Sequence, residues 1–518
     1  MKNEKENKKE IERAELHSSI WKIANALRGT IDGWDFKQYV LGMLFYRFIS
    51  ENLTNYVNEY EGDGYYTKAS DNEALQLKDE IINSKGFFML PSELFANVIK
   101  KYKDDKKIET LNVELSDIFK NIEASTIGKP SQNNFQGLFA DIDVNSNKLG
   151  TNAINRNKRL KELMDSIADM KLNYKNNTID AFGDAYEYLM GMYASNAGKS
   201  GGEYFTPQEV SELVARLTLI DNKNVKRVYD PACGSGSLLL KYSKILKNNN
   251  TSYYGQEINL TNYNLCRINM ILHNIGYDKF SIEHGDTLID PKHWDDEPFD
   301  AIVSNPPYGI KWAGKESPTL INDSRFAPAG VLAPTSKADF AFIMHCLSWL
   351  SESGKSAIVC FPGIMYRGGA EQQIRKYLVD NNFIDSIIQL PENLFFGTSI
   401  STCIMVLNKA KKDNKILFID ASKEFVKVTN NNKLSQDNIN NILDFYKDKK
   451  DIEYISKLVD KEIIAQNNYN LTISNYVEKE DTTEIIDINE VNKNIANAIT
   501  LQNEARAEID NIIKELES

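Results

Sequence analysis

The sequence contains few cysteines and histidines, and they are not arranged as a site. Five cysteines and five histidines occur among 518 residues. The cysteines are widely scattered without a C-x-x-C pair, and the histidines do not cluster with them. This pattern argues against a disulfide framework and a structural zinc site, and it fits a reduced compartment. We therefore expect no bound metal ion.

Long apolar runs and an excess of positive charge are also missing. No run of about 18 apolar residues occurs, and the charged N-terminus lacks the apolar core of a signal peptide. We expect a cytoplasmic protein with no membrane partner. Lys and Arg number 61 against 73 Asp and Glu, which gives a formal net charge of −12. Such a chain binds nucleic acid poorly unaided, so DNA would require a local basic groove or a basic partner.

The stretch that organises the chain is Phe299–Tyr308, FDAIVSNPPY. It predicts a buried strand, Phe299 to Ser304, that stops at the Asn-Pro-Pro turn, because two consecutive prolines cannot donate hydrogen bonds to a sheet. The residue before a proline favours an extended conformation, which places the Asn305 side chain beyond the sheet edge. The amide oxygen, the Pro306 carbonyl and the Tyr308 ring would suit a planar ring with an exocyclic amino group. An ordinary strand end with an Asn-Pro turn is the alternative.

A strand, a turn of small residues and a helix are predicted upstream of this stretch. Val225–Asp230 is the strand, and the turn consists of Asp230, Pro231, Ala232, Cys233, Gly234, Ser235, Gly236 and Ser237. Glycines there permit positive φ and close approach of the backbone to a ligand. The next strand ends at Glu257, and in nucleoside-binding α/β folds an acid about 20 residues beyond the glycine turn binds the ribose hydroxyls.

Further motifs narrow the ligand and the fold. There is no third phosphate-binding glycine and no G-K-[ST], which favours a nucleoside without phosphates over a dinucleotide or ATP. A third strand ends with Asp286, a candidate for the amino edge of an adenine. Because these residues all follow strand ends, we expect an open, doubly wound α/β sheet.

Two loops are predicted to lie over the ligands. The glycine-rich stretch Gly198–Gly202 is followed by Glu203, Tyr204, Phe205, Thr206, Pro207 and Gln208. Thr206 is expected to cap the next helix, with Pro207 at its first position. A plain capped helix leaves the glycines and the two aromatic residues unexplained, so we interpret this stretch as a loop closing over a small ligand. The long segment Gly309–Ser336 carries basic and aromatic residues and suits a loop over nucleic acid.

Helices are predicted at both ends of the chain. Apolar residues at three- and four-residue steps indicate a helical domain from His17 to about Met164. After about Ser422 the sequence turns polar. A seven-residue repeat then predicts a long helix that pairs with another helix, through Ile488, Val491, Ile495, Ala498, Gln502, Ala505, Ile509, Ile512 and Leu516. A terminal helix folded back on its own domain is the alternative.

These motifs in this order resemble a known family. DPACGSGSLL, the acid in YGQE, HGDTL and NPPY resemble S-adenosylmethionine-dependent DNA methyltransferases that act on amino groups. GGEYFTP, the helical N-terminal domain, KADFAFIMHCL and the heptad tail narrow the resemblance to the modification subunit of type I restriction–modification systems, over essentially the full length. Gln208 stands where an arginine is frequent, so a cofactor or DNA contact is expected to differ there.

The resemblance implies a site-specific methyltransferase that transfers a methyl group from S-adenosylmethionine to N6 of adenine. The implied fold is Rossmann-like, with an N-terminal helical domain (1–165), a catalytic domain (166–480) and a C-terminal helix for partner association (481–518). It implies a catalytic turn of Asn305, Pro306, Pro307 and Tyr308. It implies cofactor contacts at 203–208, at 230–237, at Glu257 and at Asp286.

The implied partners are double-stranded DNA with a flipped adenine, a specificity subunit that reads the DNA, a second copy of the chain and, as an optional further partner, a restriction subunit. Two alternatives remain open from the sequence. One is an NPPY-type methyltransferase of protein glutamine or RNA guanine amino groups. The other is a subunit that keeps the fold but only assembles a complex.

Overall fold

A computed structural model describes residues 11–22, 33–103, 105–172, 181–196, 206–222, 224–248, 250–395, 399–428, 431–480 and 487–517. The chain divides into two compact units, Met1–Val477 and Glu478–Ser518, and each is described by itself. Three predicted site residues, Glu203, Tyr204 and Phe205, lie outside the described residues. None of the described helices is long and apolar enough to cross a membrane.

The N-terminal part of the first unit is helical, as the residue spacing predicts. Residues 11–22 are helical, and the further helices are Gly33–Glu61, Asp71–Gln76, Lys78–Lys85, Phe95–Lys101, Leu111–Ala124, Gln132–Phe135, Ala153–Ala168 and Ala181–Asn196. Buried apolar side chains from most of these helices form one continuous core, and Met43, Phe45 and Ile49 of the first long helix are fully buried in it. Ser70 begins Asp71–Gln76 with a capping box that also uses Glu73.

The rest of the first unit is built on a mixed β-sheet. The described strands are β1 (Arg227–Asp230), β2 (Ser252–Glu257), β3 (Phe280–His284), β4 (Phe299–Ser304), β5 (Leu350–Cys360), β6 (Ile384–Gln389), β7 (Cys403–Asn408), β8 (Lys415–Asp420), β9 (Val426–Val428), β10 (Asn431–Lys433) and β11 (Ser456–Asp460). Nine of them form one sheet in the order β11-β8-β6-β7-β5-β4-β1-β2-β3, and β9 and β10 form a separate pair.

The direction of the strands determines which loops meet. β3, β2, β1, β4 and β5, which are adjacent in that order, run parallel to one another. β7 is antiparallel to both β5 and β6, β8 is parallel to β6, and β11 is antiparallel to β8. The carboxyl ends of β1 to β5 therefore lie at one edge of the sheet, as an α/β fold with its site at the strand ends requires.

Both faces of this sheet are covered, as a doubly wound sheet requires. Along β4, Ile302 points into one hydrophobic core, whereas Ala301 and Val303 point into another on the opposite face. This alternation follows from the two-residue period of a strand. The helices of this region are Gln208–Leu219, Ser237–Leu246, Leu260–Leu272, Asp339–Trp349, Ala370–Asp380, Gln436–Asp448 and Lys461–Gln466.

The helix Leu260–Leu272 joins the N-terminal helices to the sheet. Its Leu265 and Ile268 belong to the core of the N-terminal helices, while Cys266 and Met270 belong to a core on the sheet. Arg267 is almost fully buried and donates to the carbonyls of Asn133 and Gln136 at 2.8 and 2.9 Å. The N-terminal helical region is thereby packed against the part of the first unit that contains the sheet.

The second unit contains the long helix that the heptad pattern predicts, Ile488–Glu517. Its apolar side chains are exposed, from 41% at Val491 to 81% at Leu516. The helix itself is confirmed, and its pairing with another helix stays a prediction. The polar stretch after Ser422, where the sequence suggested no element, contains the pair β9–β10 and the helix Gln436–Asp448.

Candidate active site

The predicted functional residues meet at the carboxyl edge of the parallel strands. Asp230 ends β1, Glu257 ends β2, Asn305 directly follows β4, and Asp286 lies two residues beyond β3. β1 lies between β2 and β4 in the sheet. The chain continues from β1 to β2 and β3 on one side of β1, and then crosses to β4 on the other side. Such a reversal opens the crevice in which α/β proteins bind ligands.

One cavity of about 280 Å³ lies in this crevice. That volume is near the lower end of small-molecule sites in proteins. Six of its lining residues were predicted from the sequence as site residues: Pro231, Ala232, Glu257, Asp286, Asn305 and Pro307. The acid of the second strand, the acid of the third and the Asn-Pro-Pro turn therefore share one site.

Other lining residues were not singled out as site residues from the sequence. They are Ile258, Asn259, Asn262, Gly285, Thr287, Leu288, Ile310, Lys311, Trp312 and Phe342. Four of them, Ile258, Asn259, Thr287 and Leu288, directly follow a predicted strand end, and that position was the available signal. Phe342 lies on the helix Asp339–Trp349, and the sequence assigned it no role in the site. The remaining described site residues from the sequence do not line the cavity: Thr206, Pro207, Gln208, Asp230, Cys233, Gly234, Ser235, Gly236, Ser237, Pro306 and Tyr308.

Glu257 is held rigidly at the cavity wall. Its Oε2 accepts from the Gly234 amide at 2.9 Å, and its Oε1 accepts from the Asn259 amide at 2.8 Å. Burial raises the pKa of Glu257, and these backbone hydrogen bonds partly oppose the rise. Each carboxylate oxygen keeps a further lone pair, so both can still accept from ligand hydroxyls.

The small-residue turn follows the geometry that its glycines predict. Gly234 and Gly236 have φ of 53° and 81°. A Cβ on Gly236 would lie 2.7 Å from Cys266 Sγ, whereas a Cβ on Gly234 would meet nothing within 4 Å. Gly236 precedes the helix Ser237–Leu246 as its N-cap, so the turn leads directly into a helix N-terminus. Close packing therefore requires a glycine at position 236, whereas the space beside Gly234 is unoccupied.

Asp230 is a buried acid below the cavity. It is fully buried, its Oδ1 accepts from the Ala232 amide at 3.0 Å, and the Ser304 hydroxyl lies beside its carboxylate. Burial, with the nearby Glu257 charge, raises the pKa of Asp230 to about 7, and the hydrogen bonds from Ala232 and Ser304 partly oppose the rise. A buried carboxylate of this kind ionises more readily when a positive charge lies nearby.

Asn305 is held by side chains on both sides. Its Nδ2 donates to Thr206 Oγ1 at 3.1 Å, and its Oδ1 accepts from the Tyr308 hydroxyl. The expected capping role of Thr206 is wrong: the N-cap of Gln208–Leu219 is Pro207, without a side-chain hydrogen bond. The Thr206 hydroxyl binds Asn305 instead. Burial raises the pKa of Tyr308 well above its usual value of 10, so the phenol keeps its proton.

The long segment beside the cavity is anchored by Arg325. Its guanidinium is almost fully buried and donates to the carbonyls of Thr287 and Leu288 at 2.8 Å each, and to Asp323. The same group lies 3.2 Å from His345 Nδ1, and burial lowers the pKa of His345 well below 6.5. The segment is thus attached to the turn that carries Asp286.

The site fits a nucleoside cofactor with a positive charge. Glu257 can bind ribose hydroxyls, Asp286 can accept from an adenine amino group, and the buried carboxylate of Asp230 lies close to Glu257. No group of three or more His, Cys, Asp or Glu among the described residues could hold a metal ion. An α/β sheet of this order, with a nucleoside site and an Asn-Pro-Pro turn in one cavity, defines an S-adenosylmethionine-dependent methyltransferase.

Comparison with known proteins identifies the family. The N-6 DNA methylase family matches residues 177–485, and the HsdM N-terminal domain matches residues 16–167. The chain is 50% identical to the type I restriction enzyme MpnII methylase subunit of Mycoplasma pneumoniae, covering 99% of this chain and 98% of the relative. It is 33% identical to the MjaVII methylase subunit of Methanocaldococcus jannaschii, covering 88% and 77%.

Solved structures agree with this result. The methyltransferase subunit of a type I restriction–modification system from Streptococcus thermophilus superimposes with a TM-score of 0.82 at 34% identity, covering 90% of this chain and 100% of that one. The chain belongs to the N-6 DNA methylase family, as a type I modification subunit. It is therefore an S-adenosylmethionine-dependent DNA methyltransferase, and the resemblance predicted from its motifs is confirmed.

Proposed function

We propose that the turn after β4 binds the amino group that receives the methyl. Asn305 Oδ1 and the Pro306 carbonyl oxygen each accept one N–H of the adenine N6 amino group. The lone pair of that nitrogen is otherwise delocalised into the ring, and two such hydrogen bonds direct it toward the methyl donor. This is positioning and charge stabilisation at the reacting atom, without a metal or a strong base.

One observation carries this proposal. Asn305 and Pro307 line the same cavity as Glu257 and Asp286. A methyl donor held by the two acids therefore lies next to the turn that holds the acceptor. This shared cavity favours the acceptor role of the turn over an ordinary strand end.

The cofactor is held, in our proposal, by the residues that the motifs single out. Bound S-adenosylmethionine supplies a methyl group on a positively charged sulfur. Glu257 accepts hydrogen bonds from ribose hydroxyls, and Asp286 accepts from the amino group of the cofactor's adenine. The turn 230–237 lets the backbone approach closely, and the loop 203–208 closes over the methionine end through its residues other than Thr206.

The acceptor adenine must leave the duplex to reach this turn, because the turn lies in a crevice at the sheet edge. We propose that the Tyr308 ring stacks on the flipped base. The Tyr308 hydroxyl already donates to Asn305 Oδ1. A carbonyl oxygen has two lone pairs, so Asn305 can accept from the adenine as well.

We infer that the chain works in a complex in the cytoplasm. Its relatives are named as methylase subunits of type I restriction enzymes. A specificity subunit reads the DNA sequence and pairs with the exposed helix Ile488–Glu517, a second copy completes the methyltransferase, and a restriction subunit is an optional further partner. The net charge of −12 supports this division of labour, because DNA contacts then come from a partner.

The test is a substitution that removes only the amide. Asn305→Ala is expected to lower the methylation rate at least about a hundredfold, the usual scale for losing a group that stabilises charge at the reacting atom. Binding of S-adenosylmethionine and assembly with the specificity subunit should stay unchanged. The control is Asn381→Ala, since Asn381 is exposed and lies before β6, at the opposite edge of the sheet. Methylation at the wild-type rate by Asn305→Ala would refute the role of Asn305.

A further inference from the structure

Thr206 has an unexpected partner. A threonine directly before a proline at a helix start usually caps the helix through its hydroxyl. Here the helix Gln208–Leu219 is preceded by Pro207 as N-cap, without a side-chain cap. Thr206 is 7% exposed, and its Oγ1 accepts from Asn305 Nδ2 at 3.1 Å across a sequence separation of 99 residues. The hydroxyl therefore serves the catalytic edge of the sheet and not the helix.

The side-chain amide of Asn305 is hydrogen-bonded through both its nitrogen and its oxygen. Thr206 takes the nitrogen end, and the Tyr308 hydroxyl donates to the oxygen end. A terminal sp³–sp² torsion such as that of an Asn amide is otherwise broad and easily rotated. Rotation would turn an N–H toward the amino group of the substrate, where a donor would face a donor. Two partners on separate chain segments restrict that rotation.

Thr206 does not line the cavity among the described residues, whereas its hydrogen-bond partner Asn305 does. The sequence motif, by contrast, predicts a direct contact between Thr206 and the cofactor. The two roles differ in their kinetic consequences, because a cofactor contact changes cofactor affinity whereas orientation of Asn305 changes the rate of the bound complex.

We propose that Thr206 is a positioning residue for methyl transfer: its hydroxyl fixes the Asn305 amide with the oxygen available to the adenine amino group. This inference rests on the proposed role of Asn305. It assigns Thr206 to the acceptor half of the reaction. Loss of the hydroxyl leaves the half-buried amide nitrogen of Asn305 without its acceptor and lets the amide rotate away from the productive orientation.

A matched pair of substitutions tests the proposal. Thr206→Val keeps the shape and removes the hydroxyl, and Thr206→Ser keeps the hydroxyl. Each is made in the full-length chain and assayed with its specificity subunit on DNA, with thermal unfolding measured to verify folding. Cofactor affinity is measured by calorimetry with S-adenosylmethionine, and kcat at saturating cofactor and DNA.

We expect Thr206→Val to lower kcat about tenfold, equivalent to about 1.4 kcal/mol, with cofactor Kd within about twofold of wild type. Thr206→Ser should recover most of the rate. The proposal is overturned if Thr206→Val keeps the wild-type kcat, if it weakens cofactor binding with kcat unchanged, or if Thr206→Ser is as slow as Thr206→Val. A wild-type complex that methylates no adenine would instead overturn the proposed function itself, so the two failures are distinguishable.

Discussion

At the scale of single residues, Asp230 is an acid whose pKa is raised into the neutral range. Burial raises its pKa from 3.8 to about 7. An acid with a raised folded-state pKa costs folding free energy once the unfolded chain ionises, so this contribution to stability declines as the pH rises from about 4 to about 7. A bound cation beside Asp230 favours the ionised form and reverses that cost.

Cofactor affinity should therefore depend on pH through Asp230. The dissociation constant for S-adenosylmethionine is expected to be about tenfold weaker at pH 6 than at pH 8, because the carboxyl is mostly protonated at the lower pH. Asp230→Asn should bind weakly at both values. Calorimetry at the two pH values measures this directly.

The control for this experiment is His284→Gln. The His284 ring acts electrostatically on the Glu257 carboxylate, so this variant tests whether His284, instead of Asp230, causes the pH dependence. That variant should keep the pH dependence of the wild type. A wild-type affinity that is flat between these pH values, or an unchanged slope in Asp230→Asn, would contradict the assignment.

At the scale of elements, the segment after the Asn-Pro-Pro turn depends on Arg325. Its guanidinium donates to the carbonyls of Thr287 and Leu288, which line the cavity. A lysine cannot reproduce the planar fork that makes these hydrogen bonds together with Asp323. We expect Arg325→Lys to weaken S-adenosylmethionine binding about tenfold, because the turn beside Asp286 loses its support.

The matched control is Arg375→Lys. Arg375 is equally buried and also donates to two carbonyls, those of Tyr469 and Ile364, at 2.8 Å each. Neither carbonyl belongs to a residue that lines the cavity. Both variants should lose thermal stability, and only Arg325→Lys should lose cofactor affinity. Equal losses of affinity would mean that Arg325 acts through general stability alone.

The elements also show what the sequence can and cannot predict. β4 was predicted with its bounds, because an apolar run ended by two prolines has one plausible termination. The antiparallel insertion of β7 between β5 and β6 could not be predicted, since sheet order depends on pairing between distant segments. The helix Gln436–Asp448 was predictable but missed: its buried Ile439, Ile442, Leu443 and Tyr446 recur at three- and four-residue steps within a stretch whose overall composition is polar.

The site was predictable to a similar extent. Glu257, Asp286 and Asn305 each lie at or just beyond the carboxyl end of a strand, so their meeting follows from a parallel sheet. The contact between Thr206 and Asn305 joins segments far apart in sequence, and local propensity favoured capping instead. Tertiary contacts overrode the local preference at that position.

At the scale of the whole molecule, association is expected to depend on the seam of the helix Ile488–Glu517. Ile495→Lys with Ile509→Lys places two charges on exposed apolar seam positions, which are 51% and 55% exposed. This double variant should bind the specificity subunit at least about a hundredfold more weakly, since buried lysines at such positions are costly. Sedimentation of the two subunits together measures the complex.

The control adds the same two charges to the opposite face, with Asn497→Lys and Ala507→Lys. It should assemble normally. Thermal unfolding of the chain alone should be unchanged in both double variants. A lowered unfolding temperature of the seam variant alone would favour the alternative, in which the helix folds onto its own chain, and normal assembly of the seam variant would contradict the pairing.

The measurement that tests the account most directly is transfer of labelled methyl from S-adenosylmethionine to unmethylated DNA, with and without the specificity subunit, followed by analysis of the nucleosides. The account predicts label on N6 of adenine only when both subunits are present, because this acidic chain carries the chemistry and its partner the DNA reading. Adenine labelled by this chain alone would contradict the division between subunits. Label on protein or RNA, or no label despite bound cofactor, would contradict the proposed reaction.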